Sequence, residues 1–164
     1  MASSDTHGPV LTEATTASDF AEARELFQEY AAQLGVDLCF QGFAEELGQL
    51  ASMYAPPSGC LLLARSAAGT IGCGAVRRFS ADACEMKRLY LRPQARGTGL
   101  GRMLAEHLVS RAKALGYARM YLDTLFDMRP ARELYSSLGF RRTTPYYENP
   151  LPGVVYMKLD LAPR

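Results

Sequence analysis

Apolar residues recur along the chain at two spacings, and the switches between them lay out a mixed fold. From Phe20 to about Leu34 they fall three and four apart, at Phe20, Ala23, Phe27, Tyr30, Ala31 and Leu34. That is the buried stripe of an amphipathic helix. Ser18 and Asp19 read as its N-cap, with Glu22 placed as in a capping box, and Gly35 ends it. Phe43, Leu47, Leu50 and Ala51 predict a second helix over Phe40–Met53, stopped by Ala55-Pro56-Pro57-Ser58-Gly59. Strand-length runs follow at Cys60–Ser66, Ile71–Phe79 and Cys84–Leu91, the first two joined by a turn at Ala67-Ala68-Gly69-Thr70. Helical spacing returns at Leu104, Leu108, Ala112 and Leu115, predicting a helix over Gly99–Leu115. Then come a strand at Met120–Thr124, a helix at Met128–Leu138 closed by Gly139, a strand beginning over Arg141–Thr144, and a last strand at Val154–Leu159. A short strand at Val10–Thr15 precedes them all. Residues 1–9, with His7, read as a frayed tail, and 10–164 as one domain.

Three strands therefore run as a meander into a helix that leads to a fourth strand. A helical connection makes the strands on either side of it parallel. The expected fold is α/β: a mixed, mostly antiparallel sheet with one parallel pair and helices on its faces. A doubly wound sheet would alternate strand and helix from the start.

Between the third meander strand and its helix lies Arg96-Gly97-Thr98-Gly99-Leu100-Gly101-Arg102. Glycines at alternate positions let the backbone take unusual dihedrals and approach a ligand closely. The N–H groups of such a turn, with the positive end of the helix dipole, suit phosphate oxygens, and Arg96 and Arg102 add charge. A P-loop is excluded, because no lysine followed by Ser or Thr stands here. A dinucleotide fingerprint read from Gly97 would need glycine where Arg102 stands, although Asp123 lies near the acid position. A glycine turn without a ligand is the plain alternative.

Composition narrows the field. The chain has 164 residues and a net charge of +1, too little to advertise nucleic acid or an acidic membrane. Cys39, Cys60, Cys73 and Cys84 form no C-x-x-C pair and only two histidines exist, so no metal site is expected. The last three cysteines lie in apolar runs and read as buried free thiols. No signal peptide, membrane-spanning run or lipidation motif is evident, which points to a cytoplasmic location.

Two further stretches carry chemistry. Glu85 and Lys87, in Cys84-Glu85-Met86-Lys87-Arg88-Leu89, place charge on one face of an interior strand. They could pair with each other, or a shielded Glu85 could remove a proton. Tyr135, in Ala131-Arg132-Glu133-Leu134-Tyr135-Ser136-Ser137-Leu138-Gly139-Phe140, is either core or a hydroxyl aimed at a ligand.

R-x-x-G-x-G at Arg96–Gly101, followed by A-x-x-L-Y-x-x-x-G-F at Ala131–Phe140, resembles the GNAT acyltransferases over about Val10 to Leu161. The resemblance implies acetyl-CoA as cosubstrate. Its pantetheine arm would meet the backbone of Leu89 and Leu91 where the parallel strands splay apart. Its pyrophosphate would lie on Arg96, Gly97, Thr98, Gly99, Leu100, Gly101 and Arg102. Tyr135 would protonate the leaving thiolate, and Glu85 matches the strand position of the glutamate base in members that use one. Many members carry Asn where this chain has Met128, so a cofactor contact is lost or supplied by Asp123 or Thr124. The implied acceptor is a small-molecule amine, bordered by Tyr146, Tyr147 and Glu148, whose loop could equally serve packing or a homodimer contact. The rival readings are a non-catalytic acyl-CoA-binding module and a nucleotide-dependent oxidoreductase.

Overall fold

The computed structural model describes residues 8–35, 38 and 42–161. His7, Cys39, Phe40 and most of the expected tail lie outside the described residues. The strands are β1 (Val10–Glu13), β2 (Cys60–Ser66), β3 (Gly69–Arg78), β4 (Ala83–Leu91), β5 (Arg119–Leu125), β6 (Arg141–Arg142) and β7 (Val154–Asp160). The helices are α1 (Ala17–Leu34), α2 (Phe43–Gly48), α3 (Leu50–Met53), α4 (Leu100–Ala114) and α5 (Arg129–Ser137). One seven-stranded sheet runs in the order β1-β2-β3-β4-β5-β7-β6. Its neighbours pair antiparallel except β4 with β5, which are parallel, as the helix between them requires.

Both faces of the sheet are covered. On one, Leu100, Leu104, Leu108 and Ala112 of α4 pack against Leu62, Val76 and Met120. On the other, Ala23, Leu26 and Phe27 of α1 and Leu50 of α3 pack against Leu61, Leu63, Cys73 and Tyr90. Strand alternation sends neighbouring residues to opposite layers, so β2 reads as almost continuously apolar. Cys60, Cys73 and Cys84 are buried and unbonded to one another.

Two local expectations are corrected. Helix α1 is capped by Thr16, whose Oγ1 accepts from the Asp19 N–H at 3.1 Å while Asp19 Oδ2 accepts from the Thr16 N–H at 3.1 Å. Asp19 is thus the third helical residue of the box, and Glu22 turns instead to Thr70 and Arg65. The helix expected up to Met53 is broken at Gln49, with φ −132°. Its Ala51 is exposed, and the side chain that α2 buries is Glu46.

Glu46 is buried for a reason that lies on β4. Cys73 faces Tyr90 and Ala75 faces Lys87, so Gly74 alone stands opposite both Arg88 and Leu89. This is a β-bulge, and Arg88 sits in it at φ 58°, a left-handed conformation that costs a non-glycine residue about 1–3 kcal/mol. A Cβ on Gly74 would come within 2.7 Å of Leu108 Cδ1, so any larger residue opposite the bulge requires the buried Leu108 side chain to shift. Arg88 Nε donates to Glu46 Oε2 at 2.9 Å and Nη2 to Oε1 at 3.0 Å. Its guanidinium lies 5.1 Å from the Phe43 ring centroid and 5.8 Å from that of Tyr30. Pairing of β4 with β5 ends at Glu85 and Tyr121, just before the bulge, while β5 stays paired to β7 through Leu125. The sheet therefore opens into a V between β4 and β5.

Removing one partner of a buried ion pair strands the other charge. Glu46→Ala is expected to lower the unfolding free energy by about 3–5 kcal/mol in urea denaturation, and Glu46→Leu with Arg88→Met clearly less. A loss under about 1 kcal/mol for Glu46→Ala would show that the pair does not hold the bulge.

Candidate active site

The mouth of the V is built by the chain that leaves β4. Pro93–Ala95 make one 3-10 turn, Gly97 and Gly99 take φ 74° and 84°, and α4 starts at Leu100. The Arg96 N–H is bonded to Pro93 O at 3.3 Å, and the first helical bond is Met103 N–H to Gly99 O at 3.1 Å. Among the described residues, the N–H groups from Gly97 to Arg102 meet no protein acceptor. Left-handed glycines alternating with ordinary residues make successive amides converge, which is an anion cradle at a helix N-terminus. The Leu100 side chain belongs to the core, so only its backbone can serve there. Thr98 Oγ1 donates to Ala95 O at 2.7 Å and ties the loop down. Arg96 is exposed; its Nη2 donates to Gln33 Oε1 at 2.5 Å and to Leu91 O at 3.1 Å. Arg102, also exposed, reaches Ser137 Oγ at 2.5 Å.

From this cradle a cleft of about 870 Å³ runs into the V. Leu89 and Leu91 line one wall and Thr124 and Met128 the other. Arg92 N–H donates to Ile71 O across the β3 ladder. Donors alternate along an antiparallel strand, so the N–H groups of Leu91 and Leu89 point the other way, into the V. At the position where Asn was expected, Met128 Sδ lies 3.8 Å from the Thr124 hydroxyl. Tyr135 of α5 lines the same cleft, edge-on to Phe140 at 5.8 Å. No group among the described residues hydrogen-bonds its hydroxyl. Burial, then the nearby Tyr30 and Asp123, push that hydroxyl well above the usual tyrosine range, so it keeps its proton.

On the α1 side, a smaller cavity of about 40 Å³ adjoins the cleft and shares Met86, Asp123 and Thr124 with it. Here the sequence-predicted residues part company. Glu85 lines neither cavity. Its Oε1 accepts from Arg77 Nε at 3.1 Å, with Arg77 Nη2 in ion-pair contact at 3.1 Å, and its Oε2 accepts from the Tyr146 hydroxyl at 3.0 Å, with Lys87 Nζ at 3.9 Å. The pairing of Glu85 with Lys87 is thus present, and Arg77 is the stronger partner. Tyr146 stacks among Phe79, Tyr121 and Tyr156. Tyr147 donates to Asp123 Oδ2 at 2.5 Å. Glu148 is exposed and lines neither cavity.

Three residues at this end were missed as site residues. Asp123, weighed as a ribose or cofactor contact, is the carboxylate that lines both cavities. Asn149, beside the predicted Glu148, holds Asp123 Oδ2 at 2.9 Å. Lys87, read as Glu85's partner, opens on the small cavity. Burial, then the neighbouring Arg88, pushes the Lys87 ammonium below the usual lysine range, while Glu85 and Asp123 pull it back up. Period-two spacing put Glu85 and Lys87 on one face; Arg77 and Tyr146 close over Glu85, and Lys87 is the one that meets the cavity. Among the described residues, no group of three or more His, Cys, Asp or Glu could hold a metal ion, and no helix is long and apolar enough to cross a membrane.

This architecture has counterparts among known proteins. Residues 20–140 match the acetyltransferase (GNAT) family. An uncharacterized N-acetyltransferase of Schizosaccharomyces pombe is 46% identical over 88% of this chain and 90% of its own length. The structure of an acyl-CoA N-acyltransferase from Klebsiella pneumoniae superposes with a TM-score of 0.71, at 26% identity over 94% of this chain and 98% of that one. A Salmonella typhimurium acetyltransferase, solved with its cofactor acetyl-CoA, matches with a TM-score of 0.69 at 20% identity over 96% of each chain. The mixed sheet, the splayed parallel pair and these likenesses lead to one conclusion: the chain belongs to the GNAT family of acetyltransferases.

Proposed function

We propose that this acetyltransferase moves the acetyl group of acetyl-CoA to the primary amine of a small molecule. The observation that carries the reading is the row of unpartnered amides from Gly97 to Arg102, set at the mouth of a cleft that ends at Tyr135. These amides would hold the pyrophosphate, with Arg96 and Arg102 swinging from Gln33 and Ser137 to its oxygens. The N–H groups of Leu89 and Leu91 would take the place of a missing β-strand and bond the pantetheine amides. When bound, acetyl-CoA supplies an acyl group on a thiol leaving group.

The acceptor amine comes from the α1 side of the V. It must lose a proton to be a nucleophile, and two carboxylates stand as proton acceptors. Glu85 is closed in by Arg77 and Tyr146 and reaches an acceptor only through the Tyr146 hydroxyl. Asp123 opens on both cavities, and Tyr147 and Asn149 fix its orientation. The geometry favours Asp123 as base and Glu85 as the anchor of Tyr146. The amine nitrogen bonds to the thioester carbon as the carbon–sulfur bond breaks. The ammonium gives one proton to Asp123 before it attacks; Tyr135 gives its own proton to the departing sulfur, and the second N–H proton, released as the amide forms, replaces it through solvent. Backbone N–H groups at the bulge polarise the carbonyl.

Three outcomes check this account. Tyr135→Phe should lower turnover about 100-fold with acetyl-CoA affinity within about twofold; unchanged turnover removes its role as acid. Gly99→Ala, at φ 84°, should weaken acetyl-CoA binding about tenfold in calorimetry, whereas Gly101→Ala introduces no closer contact than 3.6 Å and should not strain the helix. Asp123→Asn should lower kcat about 100-fold, while Glu85→Gln should lower it less than about tenfold. The reverse pattern would return the role of base to Glu85.

A further inference from the structure

The charged side chains on the α1 face of the V are almost all committed. Arg88 and Glu46 close on each other through two hydrogen bonds. Glu85 takes Arg77 on one oxygen and Tyr146 on the other. Asp123 Oδ2 takes Tyr147 and Asn149. Lys87 is the exception. Its side chain is only 4% exposed, its nearest carboxylate oxygen is 3.9 Å away, and no hydrogen-bond acceptor meets its ammonium among the described residues. A buried cation with unfilled donors is costly unless something completes it. That something has access, because Lys87 lines the 40 Å³ cavity that joins the acceptor end of the cleft.

Asp123 lines the same cavity, and among the described residues its Oδ1 receives no hydrogen bond. One small cavity therefore presents a cation and a carboxylate with open valences. We infer that the acceptor is an amino carboxylate, a small molecule with a carboxylate close to its reacting amine, and that Lys87 binds this carboxylate while Asp123 faces the amine. The inference rests on the amine reading above and narrows it. Lys87 stands two residues before Leu89 on β4, about 7 Å along a strand. The carboxylate thus lies within a few bonds of the amine that attacks at the V, as in a free amino acid. A polyamine fits poorly, since its second ammonium would face Lys87 with Arg88 behind it.

The test is thiol release from acetyl-CoA with matched acceptors: several free amino acids, their carboxamides, phenethylamine beside phenylalanine, and putrescine. Expected is a kcat/KM for at least one amino acid ten or more times that of its carboxamide. In Lys87→Met that ratio should fall to near one, and in Lys87→Arg it should survive. Amines without a carboxylate used as well as the amino acids would overturn the inference and leave the amine reading standing. A ratio unchanged in Lys87→Met would overturn the role of Lys87. If calorimetry shows coenzyme A bound and no amine of either kind is consumed, the amine reading itself fails and the inference falls with it. The wild-type panel decides even if Lys87→Met does not fold.

Discussion

Arg88 is held in a backbone conformation that an arginine would ordinarily avoid, and the buried carboxylate of Glu46 holds it there. Much of the molecule follows from that contact. The extra residue in β4 turns the strand away from β5 after only a short parallel ladder. The V exists because of that turn, and the backbone donors of Leu89 and Leu91 are free because the V exists. The pair is also why α2 must sit over the sheet: its one fully buried side chain is the counter-charge. Two aromatic rings, Tyr30 and Phe43, flank the guanidinium and keep water from the pair. A local strain of a few kcal/mol is thus offset by charge-assisted hydrogen bonds in a dry setting.

The site divides into two electrical regions. At the mouth, neutral backbone dipoles and two exposed arginines make a positive cradle without any buried charge. Deeper in, full charges are nearly balanced, with buried Glu46 against buried Arg88 and buried Glu85 against half-buried Arg77. Such pairs contribute little net stability, but they leave few ways to arrange the strands around them. Among the described residues, Lys87 and Asp123 are charges in that layer whose partners are incomplete, and both look into the same small space. Tyr135 stands on the opposite side of the V, where burial keeps its hydroxyl protonated.

The fold was legible because its signals are periodic. Strands β2, β3 and β4 and helix α4 stand within a few residues of the stripes that predicted them, and Gly97 and Gly99 carry the positive φ angles expected of the loop. What escaped was whatever depends on two distant segments meeting. Glu46 lies on the nominally polar face of a short helix, and nothing nearby says that a bulge on β4 will draw it inward. Thr16 outcompeted Ser18 as the cap because Asp19 could complete the reciprocal pair from the third helical position. In the loop after β6, Tyr147 was named and its neighbour Asn149 was not: both grip Asp123, while Glu148 faces solvent. Glu85 and Lys87 were seen as a pair, yet their division into an enclosed anchor and an open cation depends on Arg77 and the distant Tyr146 closing over one and not the other.

The central claim is that bare main-chain amides grip a diphosphate and so aim a thioester along the V toward Tyr135. A backbone amide NMR titration with coenzyme A tests it most directly. The account predicts that the largest downfield shifts fall on Gly97 to Arg102, with smaller ones at Leu89 and Leu91. Shifts confined to other surfaces, or none at saturating ligand, would contradict it.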